Sequence, residues 1–357
     1  MNNGRCEHLS EQVVTPVLDA QTVLTTLYCL IDDTLRAVPQ ARPVRPGPKW
    51  MLSDSEVLTL GVLAQFVPTL SERAFLAFVA LRFPGAFPRL PDQSGYNRHL
   101  HDLWGVLAWL GPALARQGRV GSAGDSLYHA IDGTGVSLLS LRRGTRGRTY
   151  GDGAAVGRGG GDRQWFYGVK LAALVSDQGL IHGFISGPAN TEERFLAEGL
   201  WRFRHDPIAE TPTGDELVGV LGKAHRQHGQ RQGPSGPLGP CFGAGQGERR
   251  VPILADDGYA GEQWQRHWQA AYGAVVVTRQ QAQSSGVSRW FSGKRQVVES
   301  GKDRLHQHFA LERPRSKSVL GWWLRLSAKV AAHNLLIQLK ARWGRPLGAH
   351  LDLVALP

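Results

Sequence analysis

Apolar residues in the first third of the chain recur at three- and four-residue spacing. Between Gln21 and Ala37, the positions Val23, Leu24, Leu27, Leu30 and Ile31 form one stripe, which predicts a helix that the proline-rich stretch VPQARPVRPGPKW ends. The next start signal is LSDSEVLTLGVLAQF, where Ser53 is placed to cap the first turn and Glu56, three residues on, completes a capping box. The same periodicity continues through SERAFLAFVALRF and SGYNRHLHDLWGVLAWLGPALARQ. Residues from about 20 to 117 are therefore expected to be mostly helical, so that 1–117 forms an N-terminal unit.

After Ser126 the pattern changes to apolar, β-rich runs: LYHAIDGTGVSLLSL, then WFYGVKLAALVSD, then GLIHGFISG after a tight turn around Gln178 and Gly179. A helix through TEERFLAEGLWRF follows, then the strand VPILAD, a helix in GEQWQRHWQAAYG, the short strand AVVVT and two C-terminal helices. Three strands in a meander, then helix, strand, helix, strand and helices, predict an α/β fold: a mixed sheet flanked by helices, over residues 118–342, with 343–357 as a tail. This order matches the ribonuclease H-like topology, in which acids at strand ends face the ligand crevice of an open sheet. Two stretches interrupt the body. RRGTRGRTYGDGAAVGRGGGDR (142–163) is rich in glycine and arginine and reads as a mobile basic loop able to grip phosphates. KAHRQHGQRQGPSGPLGPCFGAGQGERR (223–250) reads as a linker.

Charge narrows the partner. The 357 residues carry a formal charge of +11, which favours a polyanion, and nucleic acid leads because the basic residues are scattered rather than gathered on one amphipathic helix. A hydrophobic content of 42% is enough to bury a sizeable core and excludes a disordered chain. Cys6, Cys29 and Cys241 form no C-x-x-C pair, so neither a disulfide framework nor a cysteine zinc site is expected. The N-terminus has no apolar signal core and no run is long enough to span a membrane, so a cytoplasmic location is expected.

Candidate chemistry lies in acids at the ends of apolar runs. Asp132 interrupts YHAIDGTGV and precedes Gly-Thr-Gly, which suits close approach of backbone to a ligand; its alternative role is a turn at a strand end. Asp256 ends VPILADDGY, and the adjacent Asp257 is either its rival or a cap for the following turn. Glu299 shares a helical face with Arg295, Lys302 and His306, whereas Val298, Leu305 and Phe309 line another. Such a face combines a carboxylate for a cation with cations for phosphates, or is an ordinary solvated one. Glu312, among Arg313, Arg315 and Lys317, is the rival third acid, although Pro314 sets it near a helix end. Carboxylates gathered from distant positions suit hard divalent cations. His225, His228 and Cys241 lack a fourth ligand for zinc, His333 reads as a core histidine, and Trp290 is either packed or a stacking platform for a base.

Together LSDSEVLTL, AIDGTGV, FYGVKLAALVSDQGLIHGFISGPANTEER, LADDGYAG and RQVVESGKDRLHQHFALERPRSKSVLGWWLRLSAKVAAHN resemble the DDE transposases of bacterial insertion sequences over most of the chain. The resemblance implies a ribonuclease H-like catalytic domain with Asp132, Asp256 and Glu299 as catalytic acids holding two Mg2+ or Mn2+ ions. It further implies cleavage at element ends followed by strand transfer into target DNA, and a homodimer that pairs two ends, associated with the nucleoid when bound. Arg295, Lys302, Arg304, His306, Arg313, Arg315 and Lys317 are the expected DNA contacts, and the helical unit is expected to recognise the ends. Where relatives often carry Tyr and Lys in their Tyr, Arg, Glu, Lys signature, this chain has Ser292 and His306. A nuclease of the same fold, or a domesticated or inactive DNA-binding relative, are the competing expectations.

Overall fold

Helix α1 (Ala20–Ala37) lays Val23, Leu24, Leu27 and Ile31 against α2 (Asp54–Phe66), as the stripe predicts. The start of α2 is fixed by the expected capping box: the Glu56 N–H donates to Ser53 Oγ at 3.3 Å and the Ser53 N–H to Glu56 Oε2 at 2.6 Å. Helices α3 (Glu72–Arg82), α4 (Gln93–Asp102) and α5 (Trp104–Gln117) complete the front. This computed structural model describes residues 19–37, 49–67, 71–118, 126–147, 149–159, 164–204, 251–284 and 287–344. The linker 223–250, with His225, His228 and Cys241, and most of the tail 343–357 lie outside the described residues.

The body is built on a six-stranded mixed sheet. Its strands are β1 (His129–Leu139), β2 (Ala155–Gly159), β3 (Gln164–Ser176), β4 (Ile181–Pro188), β5 (Ile253–Ala255) and β6 (Val276–Thr278). β3 runs antiparallel to β1 on one side; on its other side, its first half pairs with β2 and its second half with β4. β5 then joins β1 in parallel, and β6 joins β5 in parallel. The β3–β4 turn needs the left-handed backbone that Gly179 supplies at φ +84°.

The basic stretch 142–163 differs from its expected form as a mobile loop. It contains most of a short helix, α6 (Leu141–Arg146), and the whole of β2, with Tyr150 and Ala154 buried. Gly157 serves contact rather than mobility: a Cβ there would come within 2.6 Å of the Ala189 carbonyl oxygen, so only glycine lets β2 lie this close to the chain leaving β4.

Helices cover the sheet: α7 (Glu193–Arg204), α8 (Glu262–Tyr272), the short α9 (Arg279–Ser284), α10 (Ser288–Gln307) and α11 (Val319–Arg342). Gly273, in the left-handed region, closes α8. α11 packs along α5 so closely that a Cβ on Gly111 would meet Val330 Cγ1 at 2.9 Å. One buried apolar cluster therefore runs from α1 through the sheet to α11, and position 117 separates element types without separating cores. His333 lies within it: Nε2 hydrogen-bonds the Gly179 carbonyl at 2.9 Å, and burial, then the Arg304 charge, push its pKa down to about 3. No described helix is long and apolar enough to cross a membrane.

Lys329 of α11 is buried at 4% exposure and donates to Gln65 Oε1 at 3.1 Å and to the Phe309 carbonyl. Burial, then Arg325 and Arg315, push its pKa from the usual 10.5 down to about 7. The unfolded chain thus binds more protons than the folded one between those two values, and Lys329 makes stability rise with pH there. Lys329→Met should remove that slope. In thermal melts from pH 7 to 10 the wild type is expected to gain stability relative to the variant, and parallel curves would contradict this placement of the ammonium.

Candidate active site

Asp132 sits inside β1 and Asp256 one residue beyond β5. His129 and Ala130 pair in parallel with Ile253 and Leu254, so continuing the register by two residues sets Asp132 beside Asp256, on strands about 4.8 Å apart. The apolar residues before each acid, Ile131 and Ala255, are fully buried and anchor both strand segments. Asp132 Oδ1 accepts the Gly133 N–H at 2.8 Å, and Asp256 Oδ1 accepts the Gly258 N–H at 3.1 Å, capping a 3-10 turn. Asp257 is exposed and turns away, its Oδ1 accepting the Gln280 N–H at the start of α9 at 3.0 Å. Of the two adjacent aspartates, Asp256 is the one that shares the crevice with Asp132.

Helix α10 crosses this strand pair. Val298, Leu305 and the following Phe309 are buried, which turns Arg295 and Lys302 toward β1. Lys302 Nζ forms an ion pair with Asp132 Oδ2, and an Arg295 terminal nitrogen stands 3.7 Å from the same oxygen. Arg295 Nε is buried without a partner among the described residues. His306 continues the face, with Nε2 3.4 Å from Thr134 Oγ1 and Nδ1 3.3 Å from Glu312. Glu299 lies on this helix but is exposed, with no ion pair or hydrogen bond to either aspartate among the described residues. Glu312 is in the turn after α10 and is largely exposed.

The remaining basic candidates separate. Arg304 leaves α10 on another face, where its Nε donates to the Ser300 carbonyl and its guanidinium stands near the Gly179 turn. Arg313, Arg315 and Lys317 are exposed in the segment before α11, and the first two border a cavity shared with Arg325 and Lys329. Arg315 has a left-handed backbone, φ +51°, unusual for a non-glycine residue. Trp290 is half exposed, edge-on to Tyr128 with ring centroids 6.2 Å apart.

Three residues not singled out from the sequence complete the crevice. Glu193 opens α7, and its carboxylate reaches both the β1 backbone after Asp132 and the turn after Asp256: a Cβ on Gly133 would lie 3.3 Å from Oε1, and one on Gly258 would overlap Oε2. Lys170, paired with Gly135 across β3 and β1, stands 3.9 Å from Glu193 Oε1. Tyr259 ends the 3-10 turn wholly buried, and its hydroxyl has no partner among the described residues. A lysine inside the apolar run FYGVKLAALVSD was the legible signal for this polar pocket.

Electrostatics couple the acids. Burial, then the Asp132 charge, raise the Asp256 carboxyl above its ordinary range, against the pull of Arg295. Burial, then Asp256, raise Glu193, against Lys170. Burial, then Glu193, Asp132 and Asp256, raise the Tyr259 phenol, so its hydroxyl lies in the field of all three carboxylates. As placed, no three His, Cys, Asp or Glu side chains among the described residues converge closely enough to hold a metal ion. Comparison with known protein families, with curated proteins and with solved structures finds no match to this chain.

Proposed function

We propose that this protein is a DNA transposase of the DDE class, with a ribonuclease H-like catalytic domain, that breaks DNA at the ends of an insertion sequence and joins them to target DNA. The observation that carries the reading is the juxtaposition of Asp132, inside β1, with Asp256, just past the end of β5, with Arg295 and Lys302 brought onto Asp132 by α10. The strand order, four antiparallel strands, β1 to β4, followed by two strands parallel to β1, also supports it. So does the net charge of +11.

The donor set fits a hard divalent cation such as Mg2+ or Mn2+, because Asp132, Asp256 and Glu193 offer only carboxylate oxygens and the buried Tyr259 hydroxyl lacks an acceptor. Asp132 and Asp256 would hold such ions, with Glu299 as the third acid that the family resemblance implies. When bound, the ions supply Lewis-acid stabilisation of charge developing at phosphorus. The rest falls to the chain. Arg295 would offer its guanidinium to a phosphate oxygen, Lys302 would pass from Asp132 to the phosphate, and His306, beside Thr134, lines the crevice rim. Arg313, Arg315 and Lys317, on the segment before α11, extend the basic surface for the flanking duplex.

DNA binding without cleavage is the second reading, favoured by one observation: Glu299 is exposed and apart from the aspartates, while Lys302 neutralises Asp132. Pre-cut element ends incubated with full-length protein, Mg2+ and a target plasmid distinguish the readings. Covalent joining to the target is expected; nicking without joining would leave a nuclease, and a stable complex with neither product would leave a binding protein.

A further inference from the structure

We propose that Glu193, in place of the exposed Glu299, supplies the third carboxylate beside Asp132 and Asp256 of a divalent-cation site whose three acids, apart as placed, draw together when an ion replaces Lys302, with the Tyr259 hydroxyl serving an oxygen ligand bound there. The inference rests on the phosphoryl-transfer reading for the kind of ion, but the site is argued from its own geometry. Glu193 reaches the backbone just after both aspartates, close beside Gly133 and in space at residue 258 that a side chain would fill. Its carboxylate is thus fixed between two chain segments that a strand pairing already sets side by side.

Neutralisation within the crevice is uneven. Asp132 takes both α10 cations on one oxygen, whereas Asp256 has a backbone N–H and no ion pair among the described residues, and Glu193 has Lys170 at 3.9 Å. Like charges gathered in a partly buried site call for a cation between them. Tyr259 gives an independent sign: a fully buried hydroxyl with no partner, next in chain to the Asp256 turn, is a donor awaiting an acceptor. An incoming ion would take the place of the Lys302 ammonium at Asp132 Oδ2 and release that lysine to a phosphate. The alternative is structural, with Glu193 serving only as an acid in the first turn of α7.

The test is Mn2+ binding to the full chain without DNA, followed by calorimetry and by the Mn2+ paramagnetic resonance signal, with DNA cleavage measured in parallel. Glu193→Gln keeps the shape of the side chain and isolates its charge, and Gly258→Ala keeps all three acids while displacing Glu193 and crowding Asp256 Oδ1. Each should weaken Mn2+ binding at least about tenfold while the circular dichroism spectrum is kept, and Glu193→Asp should restore part of it. Unchanged Mn2+ affinity in Glu193→Gln, with affinity lost in Asp256→Asn, overturns the role of Glu193 and leaves the phosphoryl-transfer reading standing. Mn2+ binding that depends on Glu193 in a wild type that cuts no DNA supports the cation site and removes the transposase reading. A wild type that binds no Mn2+ overturns the site.

Discussion

Asp256→Asn is expected to abolish DNA cleavage and to make the folded protein more stable at neutral pH. The loss of activity follows from removing one of two adjacent carboxylates proposed to hold the ions; several kcal/mol of charge stabilisation corresponds to about three orders of magnitude in rate. The gain in stability follows from the raised Asp256 pKa, caused first by burial and then by Asp132. A folded-state pKa above the unfolded value means that the folded chain holds its proton more tightly. The corresponding stability is present below the unfolded pKa and lost as pH rises through the folded one. At pH 7 the ionised carboxylate therefore works against folding, while asparagine still accepts the Gly258 N–H. Thermal melts should place the variant above wild type at pH 7 and close to it below pH 4. A variant less stable than wild type at pH 7 would contradict the electrostatic account of the crevice. The combination of lower activity with higher stability is the mark of a strained functional site rather than of a packing residue.

Asn334→Leu should be the most damaging of the conservative-volume changes in the core. The buried Asn334 carboxamide accepts the Ile181 N–H at 2.8 Å and donates to the Ile181 carbonyl at 2.9 Å and the Gly111 carbonyl at 2.8 Å. It thereby acts as a strand partner for the first residue of β4 and ties that strand to α5 and α11. Leucine would leave the Ile181 N–H and carbonyl without this partner, at about 1 to 3 kcal/mol each, and remove a second bond to the Gly111 carbonyl, for a total of about 2 kcal/mol or more. Urea unfolding measures this directly, and a loss below about 1 kcal/mol would show that these groups find other partners.

The elements legible in the sequence were those whose signal is local. The capping box at Ser53 and Glu56, the stripe of α1 and the meander turn at Gly179 each depend on neighbours within a few residues. The positions of Asp132 and Asp256 were legible for the same reason, since each follows a short apolar run that becomes a buried strand. β2 was hidden because glycine looks alike whether it frees the chain or admits a close neighbour, and only the contact of Gly157 with Ala189 separates the two. Glu193 was hidden because its partners come from about 60 residues away on either side along the chain, and nothing in TEER announces Gly133 or Gly258. Helical periodicity set Arg295, Glu299 and Lys302 on one face, but it could not say that the two cations would reach Asp132 while the carboxylate stayed exposed. α11 returns from the far end of the chain to pack on α5, so the buried apolar cluster spans position 117, a long-range contact that no local pattern announces.

The central claim is that the Asp132 and Asp256 pair supports phosphoryl transfer on DNA. It is tested most directly by incubating purified full-length protein with a plasmid carrying this gene in its native flanking DNA, with and without Mg2+ or Mn2+, and mapping every break. The account predicts metal-dependent breaks at the flanking ends that disappear in Asp132→Asn and Asp256→Asn. Tight binding to those ends with no breaks under any metal condition, or breaks that persist in both variants, would contradict it.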